Sequence, residues 1–153
     1  MKPIGAEEVL AYVESGQYEE SLGVGVGASR FEVSRAHIRM LNRFREDPRA
    51  REALNLAKGR LFDESSVQRA RRLLRLGKRD DALRQLLESG GGSVDPEERH
   101  LLGFTLHKLG RDRDALPHLE AAAQGRGTAE DHLWLGYTQE RLGLLDDALA
   151  SYG

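Results

Sequence analysis

The sequence predicts an all-α chain whose second half is an array of antiparallel helix pairs. Three observations carry this. A short motif recurs at a fixed 33-residue period, the apolar residues ahead of each recurrence keep helical spacing and stop at a glycine, and helix-start signals stand between the units. The composition agrees, with 39% hydrophobic and 31% charged residues suiting a globular chain with a helix-friendly surface.

The chain opens MKPIGAEEVLAYVESG, with acids where a secretory signal needs a cationic flank, and no window reaches 18 apolar residues. A cytoplasmic protein without a membrane span is the expectation. From Tyr18 to Val24 runs a short apolar-acidic stretch, then the glycine-rich Gly23-Val24-Gly25-Val26-Gly27. Ser29-Arg30-Phe31-Glu32 reads as a capping box. The helix after it carries Val33, Ala36, Ile38, Met40, Leu41 and Phe44 among Arg35, Arg39, Arg43 and Arg45. Asp47-Pro48 restarts the chain as cap plus first-turn proline, and Ala50, Ala53, Leu54, Ala57 and Leu61 follow at helical spacing.

The repeat lies beyond. Arg75-Leu76-Gly77 recurs as Lys108-Leu109-Gly110 and Arg141-Leu142-Gly143, and Asp81-Ala82-Leu83 as Asp114-Ala115-Leu116 and Asp147-Ala148-Leu149. Each glycine fits the position just past a helix, where a left-handed backbone closes the last turn. Asp95-Pro96-Glu97-Glu98 and Thr128-Ala129-Glu130-Asp131 mark helix starts. Units are placed at 63–95, 96–128 and 129–153, the last incomplete, after an N-terminal helical region at 1–62. The linker Ser89-Gly90-Gly91-Gly92-Ser93 is loose for a stacked array, and the last unit lacks a polar capping helix. A fragment of a longer protein, or a face covered by another chain, is expected; self-association through that open repeat belongs to the second case.

This pattern resembles the tetratricopeptide repeat over about 90 residues. Trp134-Leu135-Gly136-Tyr137, Leu142-Gly143 and Asp147 to Tyr152 match it best; Leu102-Gly103-Phe104, Gly110, Ala115 and Leu119 match next. In the first unit Arg69-Ala70 stands where Leu-Gly is usual. Residues 18–63 look like a degenerate J domain of Hsp70 co-chaperones: Tyr18 to Val24 opens it, Ala28-Ser29 and Glu32 to Ala36 begin its basic helix, and Leu54-Asn55, Ala57, Leu61 and Asp63 match its third helix. The His-Pro-Asp loop is replaced by Arg45-Glu46-Asp47, so stimulation of ATP hydrolysis is not carried over. The resemblance implies a J-like helical hairpin with Arg35, Arg39 and Arg43 as its basic face, followed by a tetratricopeptide-like α-solenoid.

Charge is distributed unevenly. Residues 1–29 carry −4, residues 30–84 carry +8 and residues 85–153 carry −6. The middle suits an acidic partner or the acidic third of this molecule. The run Arg69 to Arg75 lacks the aromatic platform of a nucleic-acid binder, and no nucleic acid is expected. No cysteine is present, which removes disulfides and thiol chemistry. The glycine-rich stretch lacks the strand a dinucleotide loop needs. His37, His100, His107, His118 and His132 show no metal-ligand spacing, and no nucleophile elbow or phosphate loop is present. An enzyme, a metal and a cofactor are not expected.

The resemblance implies a groove lined by the first helix of each unit. Its matching residues are Arg71 and Arg75 with Val67 and Leu74; then His100, Leu101, Phe104, His107 and Lys108; then Leu133, Trp134, Tyr137 and Arg141 with Glu140. Trp134 fits groove and core equally. The carboxylate clamp of some family members is absent, since Arg71 alone is basic among the matching positions. The expected function is a non-enzymatic scaffold or adaptor holding a partner peptide or helix. Its rivals are a co-chaperone that contacts Hsp70 without stimulating hydrolysis and a secretion-type chaperone.

Overall fold

The computed structural model describes residues 3–88 and 95–153, and every regular element among them is an α-helix. In order these are α1 (Ala6–Glu14), α2 (Tyr18–Leu22), α3 (Arg30–Arg43), α4 (Pro48–Asp63), α5 (Ser66–Arg75), α6 (Arg79–Glu88), α7 (Pro96–Lys108), α8 (Asp112–Gly125), α9 (Ala129–Arg141) and α10 (Leu145–Tyr152). The Ser89 to Ser93 linker lies outside the described residues. Two compact units divide the chain, Met1–Glu64 and Ser65–Gly153.

In the first unit, α1, α2 and α3 all pack on α4. Ala50, Ala53, Leu54, Ala57 and Leu61 of α4 are buried with Val9, Val13, Leu22, Val33 and Ala36. Asp47 caps α4 by accepting from Ala50 N at 3.1 Å, with Pro48 in the first turn. One detail departs from expectation. Ser29 accepts from Glu32 N, but the Glu32 side chain does not reach back, so the capping box is half formed. Ile38 stands on the solvent face, because the buried positions of α3 are Val33, Ala36 and His37. His37 Nε2 meets Asn55 Oδ1 at 2.8 Å, which satisfies the buried ring from α4.

Among its described residues the second unit is three helix pairs, α5/α6, α7/α8 and α9/α10. Their second helices start at Arg79, Asp112 and Leu145, 33 residues apart each time. The first pair begins later than the period predicts: Asp63 still belongs to α4, and Ser65 with Gln68 forms the capping box that starts α5. The turn inside each pair is the same. Gly77, Gly110 and Gly143 have φ of 76°, 79° and 81°. The following N–H groups, of Lys78, Arg111 and Leu144, donate to Leu73, Leu106 and Gln139 carbonyls at 2.8 Å. This doubles back the chain while satisfying helix-end carbonyls.

The α1–α2 turn repeats that geometry, which the sequence reading missed. Gly16 has φ 82°, and Gln17 N donates to Tyr12 O at 2.8 Å. Around it, Gly16-Gln17-Tyr18-Glu19-Glu20-Ser21-Leu22 parallels Gly77-Lys78-Arg79-Asp80-Asp81-Ala82-Leu83, with Ser21 and Ala82 both fully buried.

Close approach within pairs depends on small residues. A Cβ on Gly103 would lie 2.6 Å from Leu119 Cγ, and one on Gly136 would lie 2.3 Å from the Tyr152 ring. In the first pair Ala70 takes this place, fully buried near Leu86 in the same core cluster, so the departure from Leu-Gly keeps a small residue there.

Candidate functional site

The site expected on the first helices is built around aromatics. Leu102, Gly103 and Leu106 of α7 are buried, so Phe104 and Lys108 turn outward from the α7/α8 core. On α9, Leu135, Gly136, Thr138 and Gln139 are buried, and Leu133 and Tyr137 are exposed. Trp134 is half-buried. The rings meet in sequence: Phe104 to Trp134 at 4.8 Å, Trp134 to Tyr137 at 5.2 Å, and Tyr137 to Tyr152 of α10 at 5.8 Å, each edge-on. Edge-on contact sets the positive rim of one ring against the negative face of the next. Lys108 Nζ lies 4.7 Å from the Trp134 ring and 5.5 Å from Phe104, a cation held on an aromatic surface.

The cations around this surface are partly engaged. Arg71 pairs with Glu97, tying α5 to α7, while Arg75 is exposed. Arg141 Nε reaches Asp112 Oδ2 at 3.2 Å and stays half-exposed.

Three expected groove residues are placed elsewhere. Leu101 is buried in the core cluster. His100 and His107 are buried because their apolar-periodic helix turns them toward α9 and α8 rather than solvent. His100 Nδ1 lies 2.8 Å from Asp131 Oδ1 without the alignment of a hydrogen bond. Burial pushes the His100 ring below its usual value, against the opposing pull of Asp131 and Glu130. Asp131 is itself fully buried. Burial alone would raise its pKa, but hydrogen bonds from Arg126 and Thr128 and the His100 charge lower it to about 2. Arg126 Nε and Nη2 donate to the two Asp131 oxygens at 3.0 and 2.7 Å.

His107 Nδ1 donates to Asp112 Oδ1 at 2.5 Å, and Thr138 Oγ1 lies 3.2 Å from that same nitrogen. Thr, His and Asp side by side invite comparison with a nucleophile–base–acid triad. In a triad the nucleophile gives its proton to one ring nitrogen while the acid, on the opposite nitrogen, fixes the tautomer and stabilises the imidazolium. Here both crowd one nitrogen in a buried pocket, and the set bridges α7, α8 and α9 instead.

Asp112, Asp131 and Arg126 carry no site signature in the sequence. The available signal was Thr128-x-x-Asp131, a capping box whose acid can also accept from elsewhere. Val67 and Leu74 pack on the second unit's core. On α3, Arg35, Arg39 and Arg43 are all exposed. Asp47, which the J-like resemblance aligns with that family's loop, is engaged as the α4 cap.

No protein-family model matches the chain. No curated protein matches it either. Solved structures do. A MamA AMB-1 structure aligns over 96% of this chain and 92% of its own, with TM-score 0.53 and 16% identity. A MamA MSR-1 structure aligns over 95% of this chain and 89% of its own, with TM-score 0.52 and 18% identity. The likeness is one of fold. With the glycine turns and helix pairs above, it establishes an all-α, tetratricopeptide-like solenoid architecture. Among the described residues, no helix is long and apolar enough to cross a membrane.

Proposed function

We propose that the second unit is a non-catalytic protein-binding scaffold that holds a peptide or helix of a partner against α7 and α9. The observation that carries this is the aromatic run Phe104–Trp134–Tyr137, half-buried to exposed and topped by Lys108. Aromatic rings bury large areas at little entropy cost, and a neighbouring cation adds direction. Arg75, Arg141 and Lys108 suit a segment with acidic residues beside its apolar anchors. The buried histidine–carboxylate pairs hold neighbouring helices together, which supports a binding role rather than a reaction. The tetratricopeptide-like fold is one on which such grooves form.

Trp134 is the single tryptophan, so its fluorescence reports on the site directly. Binders selected from a displayed random-peptide library are expected to shift that emission. They should bind at least about tenfold more weakly to a Phe104→Ala/Tyr137→Ala variant of intact helicity. Binders that leave the emission unchanged and bind the variant equally would reject the groove.

The J-like resemblance gives a second reading for the first unit, a regulator that contacts an Hsp70 through Arg35, Arg39 and Arg43 without stimulating hydrolysis. The exposure of these arginines favours it. Hsp70 binding that survives replacement of all three by alanine would remove it.

A further inference from the structure

Two helix faces in different units carry matched chemistry. On α3, Phe31 and Ile38 are 68% and 59% exposed. Seven residues apart, they lie on one face two turns apart, with Arg35 between them. Arg39 and Arg43 flank that stripe, and Glu32 is the single acid of the helix. Arg35 lies 5.6 Å from the Phe31 ring, and among the described residues Arg35, Arg39 and Arg43 form no ion pair with a carboxylate.

On α10, Leu145 and Leu149 are 61% and 70% exposed, and Tyr152 completes the same spacing at 40%. Asp146 and Asp147 are exposed beside them, and the helix has no basic residue. Tyr152 also lines, with Leu133 and His132, an open cleft of about 330 Å³. Large apolar side chains scattered singly over a surface need no explanation, but aligned stripes mark contacts.

We propose that each face is the other's partner in a second copy of this chain, α10 of one molecule docking on α3 of the next. The stripes share one spacing, Phe31–Arg35–Ile38 against Leu145–Leu149–Tyr152. Their borders are opposite in charge, as are the sequence regions that carry them, +8 over residues 30–84 and −6 over residues 85–153. Pairing α3 with α3, or α10 with α10, sets like charges together, whereas the mixed pairing attracts. The contact is heterologous, so copies join head to tail, into a ring where the rotation closes and into an open chain where it does not. On α3 the contact lies in the other unit from the aromatic groove, whereas on α10 it adjoins that groove, since Tyr152 meets Tyr137 at 5.8 Å; Leu145 and Leu149 therefore carry the α10 side of the test.

Sedimentation velocity of the full chain over about 1–200 µM tests this, a range that spans ordinary weak association. The wild type is expected to grow in mass with concentration and to shrink at about 0.5 M salt, where charge attraction is screened. Phe31→Glu/Arg35→Glu and Leu145→Glu/Leu149→Glu each remove one face. Each variant alone should associate at least about tenfold more weakly. Mixed in equal amounts they should give a 1:1 dimer and nothing larger, since each supplies the face the other lacks. Circular dichroism checks the fold. If either variant fails that check, Arg35→Glu/Arg39→Glu, which keeps both apolar residues of α3, replaces the α3 variant, and Asp146→Lys/Asp147→Lys replaces the α10 variant. A wild type monomeric throughout, variants that associate as it does, or a mixture that stays monomeric would each overturn the proposal.

Discussion

The two units are held together by different means. The buried set of the first, from Val9 to Leu61, is almost wholly aliphatic, with Glu19, Ser21 and His37 as its buried polar residues. The second buries Arg72, Gln85, His100, Thr105, His107, Asp112, Asp131, Thr138 and Gln139. Apolar contact is non-directional, whereas a buried hydrogen bond works at one alignment and penalises others. Stacked, similar helix pairs could slide past one another. The Arg126–Asp131 and His107–Asp112 hydrogen bonds, with the Arg141–Asp112 ion pair, help fix the register of α7, α8 and α9, and that register sets Phe104 of α7 edge-on to Trp134 of α9.

The contrast can be broken first at Gly103. Gly103→Ala forces a methyl to 2.6 Å from Leu119, whose backbone N is 3.2 Å away and cannot yield as a side-chain tip can. The expected cost is about 2–3 kcal/mol, after the helix-propensity gain of alanine, read by urea denaturation. Asp131→Asn comes next. It removes the charge that Arg126 grips in a fully buried position, and should cost on the order of 2 kcal/mol by the same measurement.

Acid should separate the units without mutation. His100 and His118 both have lowered folded-state values, by burial in each case and by Arg99 beside His118. The unfolded chain therefore binds their protons first, and second-unit stability falls as pH drops below about 6.5. Asp131, depressed from 3.8 to about 2, adds a loss as pH falls further through that range. Trp134 emission should lose cooperative structure in acid at milder denaturant than far-ultraviolet dichroism of the whole chain, and His100→Gln should weaken the upper step. The smallest effect sharpens the contrast from the other side. A Cβ on Gly59, inside α4, meets nothing within 4 Å. Gly59→Ala should stabilise by about 0.5–1 kcal/mol, a rise in the urea midpoint of the first unit.

Local rules made the helix pairs legible. The glycine closures, Asp95, Asp47-Pro48 and the buried alanines each act within a few residues, so the sequence displays them directly. The buried side of α3 was not legible, because the helix carries apolar residues on more than one side and periodicity alone does not say which side has a neighbour. Gly16 was missed because its pair is not 33 residues from the next. Among the residues expected in the groove, the outward placement of Phe104, Tyr137 and Lys108 follows from helical phase. Helical phase also turns His100 and His107 inward, but the partner of His100, Asp131, lies 31 residues on, a tertiary pairing that no local pattern encodes.

The four glycine turns bear on how the chain responds to force. Each closure bond spans five residues, and in the second unit neighbouring pairs supply the remaining contacts. A solenoid pulled along its length can then yield one hairpin at a time, as a zipper does, and each released hairpin re-closes without a long search by the chain. The left-handed glycines Gly77, Gly110 and Gly143 mark the points at which such steps would divide the array.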